Sequence, residues 1–123
     1  MVEIILVGLG GALGAISRYL VGTLTDSTSV AMRFPIGTLI VNIVGCFLIG
    51  LISVVLLRYW PIGSNARLFL ITGVLGGFTT FSAFSFETVT MIKAGNLSAA
   101  ALYILPSVLI GLLVTYIGMR ILA

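Results

Sequence analysis

Residues 76–87 read GGFTTFSAFSFE, and this stretch decides the fold because it lies inside an apolar segment that a simple lipid anchor would fill with aliphatic side chains. Two glycines, two threonines, two serines, four phenylalanines and a glutamate share about three helical turns. Gly73, Gly76 and Gly77 each lower helix propensity by about 1 kcal/mol relative to alanine, and Thr79 and Thr80 follow after Phe78. The pattern predicts a helix interruption. Non-helical backbone at membrane depth survives only where protein or a water-filled cavity surrounds it, and its loosened carbonyls suit a small hard cation.

Working outward, the stretch belongs to the third of four apolar segments, 4–24, 36–57, 68–92 and 98–119. Each is near or above the ~20 residues that span hydrocarbon as a helix. The chain has 123 residues, 60% hydrophobic and 7% charged, with a mean hydropathy of +1.33, whereas a soluble domain carries about 25% charged residues. The expectation is an all-α integral membrane protein, one membrane domain over residues 1–123. The segments are too long, and alternate too little, for a β-barrel. The first segment is read as a mature span, since Glu3 stands where a signal peptide has basic residues and no small-residue cleavage site follows.

The connections 25–35, 58–66 and 93–97 are short, and Tyr59 and Trp60 beside Arg58 resemble an interfacial belt. The net charge is +3, but position matters more than the sum. Arg58, Arg67 and Arg120 fall on the side of the termini and Arg33 and Lys93 on the other, with Arg18 inside the first span nearer that other side. Such a small bias does not fix one orientation. It predicts insertion both ways and an antiparallel, dual-topology homodimer about a two-fold axis in the membrane plane. Two chains also answer a packing problem, because the centre of a four-helix bundle is filled by its own side chains.

In the first span Gly10, Gly14, Arg18 and Gly22 recur every four residues, with Gly8, Gly11 and Ala15 beside them, a face that admits close backbone approach. GLGGALG is not a dinucleotide loop: Leu13 takes the third glycine position, and neither the preceding strand nor the later acidic residue is present. Arg18 has two readings, since an arginine inside a span costs about 2.5 kcal/mol or more unless it snorkels or finds partners. It snorkels to the interface, or it places positive charge at the mouth of an anion path.

The second span gathers Thr38, Asn42, Cys46 and Ser53 with Gly45 and Gly50 on one face. Asn42 brings two N–H donors and an acceptor, and either glues helices or faces a polar path. Cys46 is the only cysteine and reads as a small packing residue, and a chain without histidine assembles no zinc cluster. In the fourth span Tyr103, Ser107, Gly111 and Thr115 form a stripe beside Pro106, although such hydroxyls usually bond back to their own helix. Phe81 and Phe84, interleaved with Ser82 and Ser85, are either plain packing or electron-poor ring edges around a small anion. Glu87 either approaches the interface or marks a functional site.

Four stretches taken together, GGALGAISRY (10–19), PIGTLIVNIVGCFLIG (35–50), GGFTTFSAFSFE (76–87) and the polar stripe of the fourth span, resemble the CrcB family of fluoride channels, also called Fluc channels. The resemblance covers essentially the whole chain. It implies a cell-membrane channel, in the inner membrane of a Gram-negative cell, for passive fluoride efflux. It also implies an antiparallel homodimer of four-helix subunits with a broken third helix and two pores. A structural sodium ion at the dimer centre is implied too, held by the carbonyls of Gly76 and Thr79. Asn42, Phe81 and Phe84 match the pore positions, and Thr38, Ser82, Glu87, Tyr103 and Ser107 a polar track, with Arg18 at the mouth. Ala83 stands where many relatives have a hydroxyl residue, and Gly111 replaces a polar rung.

Two other classes compete. A small multidrug-resistance type transporter is also short and four-spanning, but uses a glutamate in its first helix where this chain has Arg18. A structural packing subunit suits the glycine faces but not the polar third span. No nucleotide site and no nucleophile with its base is present, so neither enzymatic work nor a nucleic-acid partner is expected. The expected partners are fluoride, lipid and a second copy of the chain.

Overall fold

A computed structural model describes residues 1–29, 34–59 and 63–123. Among these, four helical segments are long and apolar enough to cross a membrane: Val2–Thr25, Ile36–Tyr59, Ser64–Lys93 and Leu97–Ile121. The reason is economical. In hydrocarbon each backbone N–H and C=O must be satisfied within the protein, and a helix does this within one segment.

Helix α1 (Val2–Ser29) runs past residue 24, so part of the expected connection 25–35 is helical. The Thr25 hydroxyl bonds back to the carbonyls of Val21 (2.8 Å) and Gly22 (3.0 Å), and no proline intervenes before Pro35. Helix α2 (Ile36–Val54) continues as a π-helical turn, Val55–Tyr59. Arg33 and Trp60, used above for charge balance and the interfacial belt, lie outside the described residues.

The third segment is a succession of pieces. It comprises α3 (Ser64–Arg67), a π-helical stretch Leu68–Leu75, α4 (Gly76–Phe78) and α5 (Phe81–Lys93). Between α4 and α5, Thr79 (φ −82°, ψ 156°) and Thr80 (φ −151°, ψ 119°) are extended. The departure from helical geometry thus comes after the glycines, which remain helical. At the end of α5, Gly95 takes φ 78°, the left-handed conformation that closes a tight turn. Helix α6 (Leu97–Ile121) starts where Asn96 accepts the Ala99 N–H (3.3 Å) and continues through Pro106.

Two close pairings organise the bundle. Helix α1 lies along Leu68–Phe78, and α2 lies along α6. In the first, a Cβ on Gly14 would fall 2.0 Å from the Val74 carbonyl oxygen, and one on Gly77 would fall 2.4 Å from the Gly11 carbonyl oxygen. In the second, Gly50 faces the Thr115 carbonyl and Gly118 the Phe47 carbonyl in the same way. Both seams are backbone against backbone, the association that lipid favours because helices there gain little from burying apolar side chains. The enclosed core is correspondingly small, with Val41 and Tyr103 the largest fully buried side chains, while large apolar residues face outward along all four segments.

Candidate ion path

The interruption in the third segment is held by one side chain. Asn42 accepts from the Thr80 N–H at Oδ1 (2.8 Å) and donates through Nδ2 to the Thr80 carbonyl (3.0 Å). In a continuous helix the Thr80 N–H would be spent on the Gly76 carbonyl, and the Ala83 N–H on the Thr79 carbonyl. Here the first goes to Asn42 and the second to the Thr80 hydroxyl, which caps α5 (3.2 Å). The i+4 partners of Gly76 and Thr79 are therefore diverted. Asn42, Gly76, Thr79, Thr80 and Phe81 line one cavity of about 310 Å³, which Cys46 and Ile49 also border.

One turn earlier on the same face of α2, Glu87 receives both of its hydroxyl neighbours. Thr38 donates to Oε1 (2.7 Å) and Tyr103 to Oε2 (2.6 Å), joining α2, α5 and α6 at one carboxylate. Each hydroxyl has a single proton to give, so an anion arriving at this level meets donors already committed to Glu87. The Tyr103 ring packs on Phe84 (centroids 5.1 Å apart, planes at 45°), and Phe84 on Phe81 (5.7 Å, 38°). Phe81 is exposed and Phe84 half-buried, so the ladder climbs from an open edge to an enclosed hydroxyl.

Arg18 lies beside a second cavity of about 290 Å³, shared with Tyr19, Gly22, Thr38 and Thr80. Its Nε is buried and has no hydrogen-bond partner among the described residues. Ser82 meets the Thr80 hydroxyl (3.2 Å). Ser107 donates to the carbonyl of Tyr103 one turn back, as its place in a membrane helix predicts. Thr115 splits its proton between its own helix, at Gly111, and Cys46 on α2 (both 2.9 Å). Of the sequence-predicted residues, Thr38, Glu87, Tyr103, Phe84 and Phe81 form one connected group. Asn42 and Arg18 line two different cavities that both reach Thr80, and Ser107 bonds only locally. Thr80 is the partner that sequence reading left without a role of its own, although its place just past the glycine-rich GGF pointed at it.

Comparison with known proteins gives the family. The family model described as "CrcB-like protein, Camphor Resistance (CrcB)" matches residues 5–119. The chain belongs to the CrcB family. A protein of Agrobacterium fabrum named "Fluoride-specific ion channel FluC" is 46% identical over 121 residues, 98% of this chain and 96% of that protein. Proteins of the same name from Thermus thermophilus (45% identical; 98% of this chain, 95% of the relative) and Methylobacillus flagellatus (39%; 98% and 94%) match over the same length. These CrcB relatives are named as channels and not as enzymes. With four helical segments of spanning length, this member of the family is a multi-pass protein of the cell membrane.

Proposed function

We propose that the protein is a fluoride-selective channel that lets fluoride leave the cell passively and so lowers cytoplasmic fluoride. The observation that carries the reading is the connected group Thr38–Glu87–Tyr103–Phe84–Phe81, in a chain that matches fluoride-specific channels over nearly its whole length. Fluoride is small and strongly hydrated, and a pore must replace its water with donors that hold it weakly enough to release it. The second N–H of Asn42, the hydroxyl pair of Thr80 and Ser82, and ring edges are donors of that strength. A negative-inside potential then drives the anion outward.

The working unit in this reading is an antiparallel homodimer with two pores and a sodium ion at its centre. The carbonyls of Gly76 and Thr79 fit such an ion: both lose their helical N–H partners at the interruption, and both residues border the same cavity. Bound there, sodium supplies fixed positive charge near the pores. The multidrug-transporter alternative is not favoured, because the embedded carboxylate is in α5, engaged by two hydroxyls, and the full-length matches are to channels.

The test is direct. Liposomes loaded with potassium fluoride and carrying the purified protein receive a potassium ionophore, and an ion-selective electrode follows fluoride, with chloride loading as control. Rapid fluoride release without chloride release is expected. No release from a verified dimer in sodium buffer would overturn the channel reading.

A further inference from the structure

The wall behind Tyr103 contains a residue with no place in the path described above. We infer that Phe34 is a positioning residue: it holds the Tyr103 ring, and through it the hydroxyl on Glu87. The inference rests on the fluoride-channel reading and deepens it by adding a residue that tunes the path without lining it.

Tyr103 is fully buried, and its ring has two aromatic neighbours. Phe84 is on the path side, and Phe34 meets the ring nearly edge-on, with centroids 5.6 Å apart and planes at 81°. That T-shaped contact sets the positive edge of one ring against the negative face of the other, an arrangement the ring quadrupoles favour. A tyrosine hydroxyl is the atom farthest from its own backbone, so a small tilt of the ring displaces it most. A 2.6 Å bond to Glu87 leaves little room for such a tilt.

Phe34 is itself fixed by local chain geometry. The Ile36 N–H donates to the Phe34 carbonyl (2.8 Å) around Pro35, whose φ of −80° and ψ of 67° make an inverse γ-turn. The Leu39 N–H then donates to the Pro35 carbonyl (3.2 Å) and starts α2. Thr38 is in that same first turn, so residues 34–38 control both donors to Glu87: Thr38 gives its hydroxyl to Oε1 directly, and Phe34 braces the ring whose hydroxyl reaches Oε2. Phe34 packs on the buried cluster of Met91, Ala100 and Tyr103 together with Leu39 and Phe84, which ties the brace to α5 and α6.

Fluoride efflux from liposomes, measured for the wild type, Phe34→Leu, Phe34→Tyr, Tyr103→Phe and the Phe34→Leu/Tyr103→Phe double variant, tests this, with melting temperature and dimer content recorded for each. Phe34→Leu is expected to slow fluoride release roughly three- to tenfold, the worth of one edge-to-face ring pair, while Phe34→Tyr keeps the wild-type rate. The double variant is expected to be no slower than Tyr103→Phe alone, because the brace acts only through the hydroxyl that Tyr103→Phe removes. If Phe34→Leu gives no folded protein, Phe34→Met takes its place. The inference is overturned by an unchanged rate in Phe34→Leu, by losses that multiply in the double variant, or by a fall that tracks melting temperature and is shared by Phe34→Tyr. A wild type that releases no fluoride overturns the channel reading itself, and a conducting wild type beside an unaffected Phe34→Leu overturns this inference alone.

Discussion

The two halves of the third segment use similar residue types for different purposes. Leu68–Phe78 presents Gly73 and Gly77 to α1, where a carbonyl or Cα of the neighbouring helix occupies the space of a side chain. Phe81–Lys93 presents Glu87 to hydroxyls of α2 and α6 and Phe84 to the Tyr103 ring, contacts made by side chains. Along its side facing α1 the first half excludes chemistry, since nothing polar fits between two backbones in contact. The second half, across Thr79 and Thr80, has the room and the donors for it. Small residues at membrane depth therefore do not by themselves mark a path. A path needs the backbone to separate again, and here it separates where Asn42 takes over the hydrogen bonds of Thr80.

The largest expected effect attacks the first half. Gly14→Val would drive carbon into the Val74 carbonyl oxygen and the Phe78 nitrogen, at a cost of about 3 kcal/mol or more because backbone gives way far less than a side-chain tip. Loss of monodisperse protein in detergent is the expected result, and a variant with wild-type melting temperature would show that this seam is looser than backbone contact. Next comes the junction. Asn42→Ala leaves the Thr80 N–H and C=O without their partner, at about 1–3 kcal/mol for each group left unsatisfied. Melting temperature and fluoride efflux are expected to fall together.

Glu87→Gln separates the two halves most sharply. The amide oxygen still accepts one hydroxyl, but its NH₂ can only donate, so the other hydroxyl must turn to accept and its own proton loses its carboxylate partner. The protein is expected to fold, with a stability loss of about 1 kcal/mol, while fluoride efflux drops well beyond what that loss explains; equal efflux in a folded variant would remove Glu87 from the path. Smallest of all, Gly8→Ala on α1 adds a methyl where no atom lies within 4 Å. It is expected to be neutral or to stabilise by up to about 1 kcal/mol through helix propensity. A destabilisation resembling that of Gly14→Val would place a further close-packed surface on that face.

Much of this was legible from the chain alone, and the reasons are local. The small-residue repeat at Gly10 and Gly14 pointed to close approach, and GGFTTF pointed to an interruption. Tyr103 and Ser107 were visible as a polar stripe, yet they diverge: Tyr103 crosses to Glu87, and Ser107 spends its proton on its own helix. Periodicity cannot separate them, because both lie on the same face one turn apart. Phe34 gave no signal beyond standing before Pro35, and its contact with Tyr103 joins residues far apart in sequence.

By itself the sequence determined the number of spanning helices, their all-helical character, the small-residue faces and the presence of charge in an apolar setting. Those properties follow from composition and spacing within one segment, since each helix satisfies its own backbone. Only the tertiary structure decided that Asn42 answers Thr80, that Glu87 takes protons from Thr38 and Tyr103, and that Gly14 rather than Gly8 meets a neighbouring backbone. Hydrogen bonds and van der Waals contacts are settled within tenths of an ångström. That precision comes from how the helices rotate and cross against one another, which no single segment specifies.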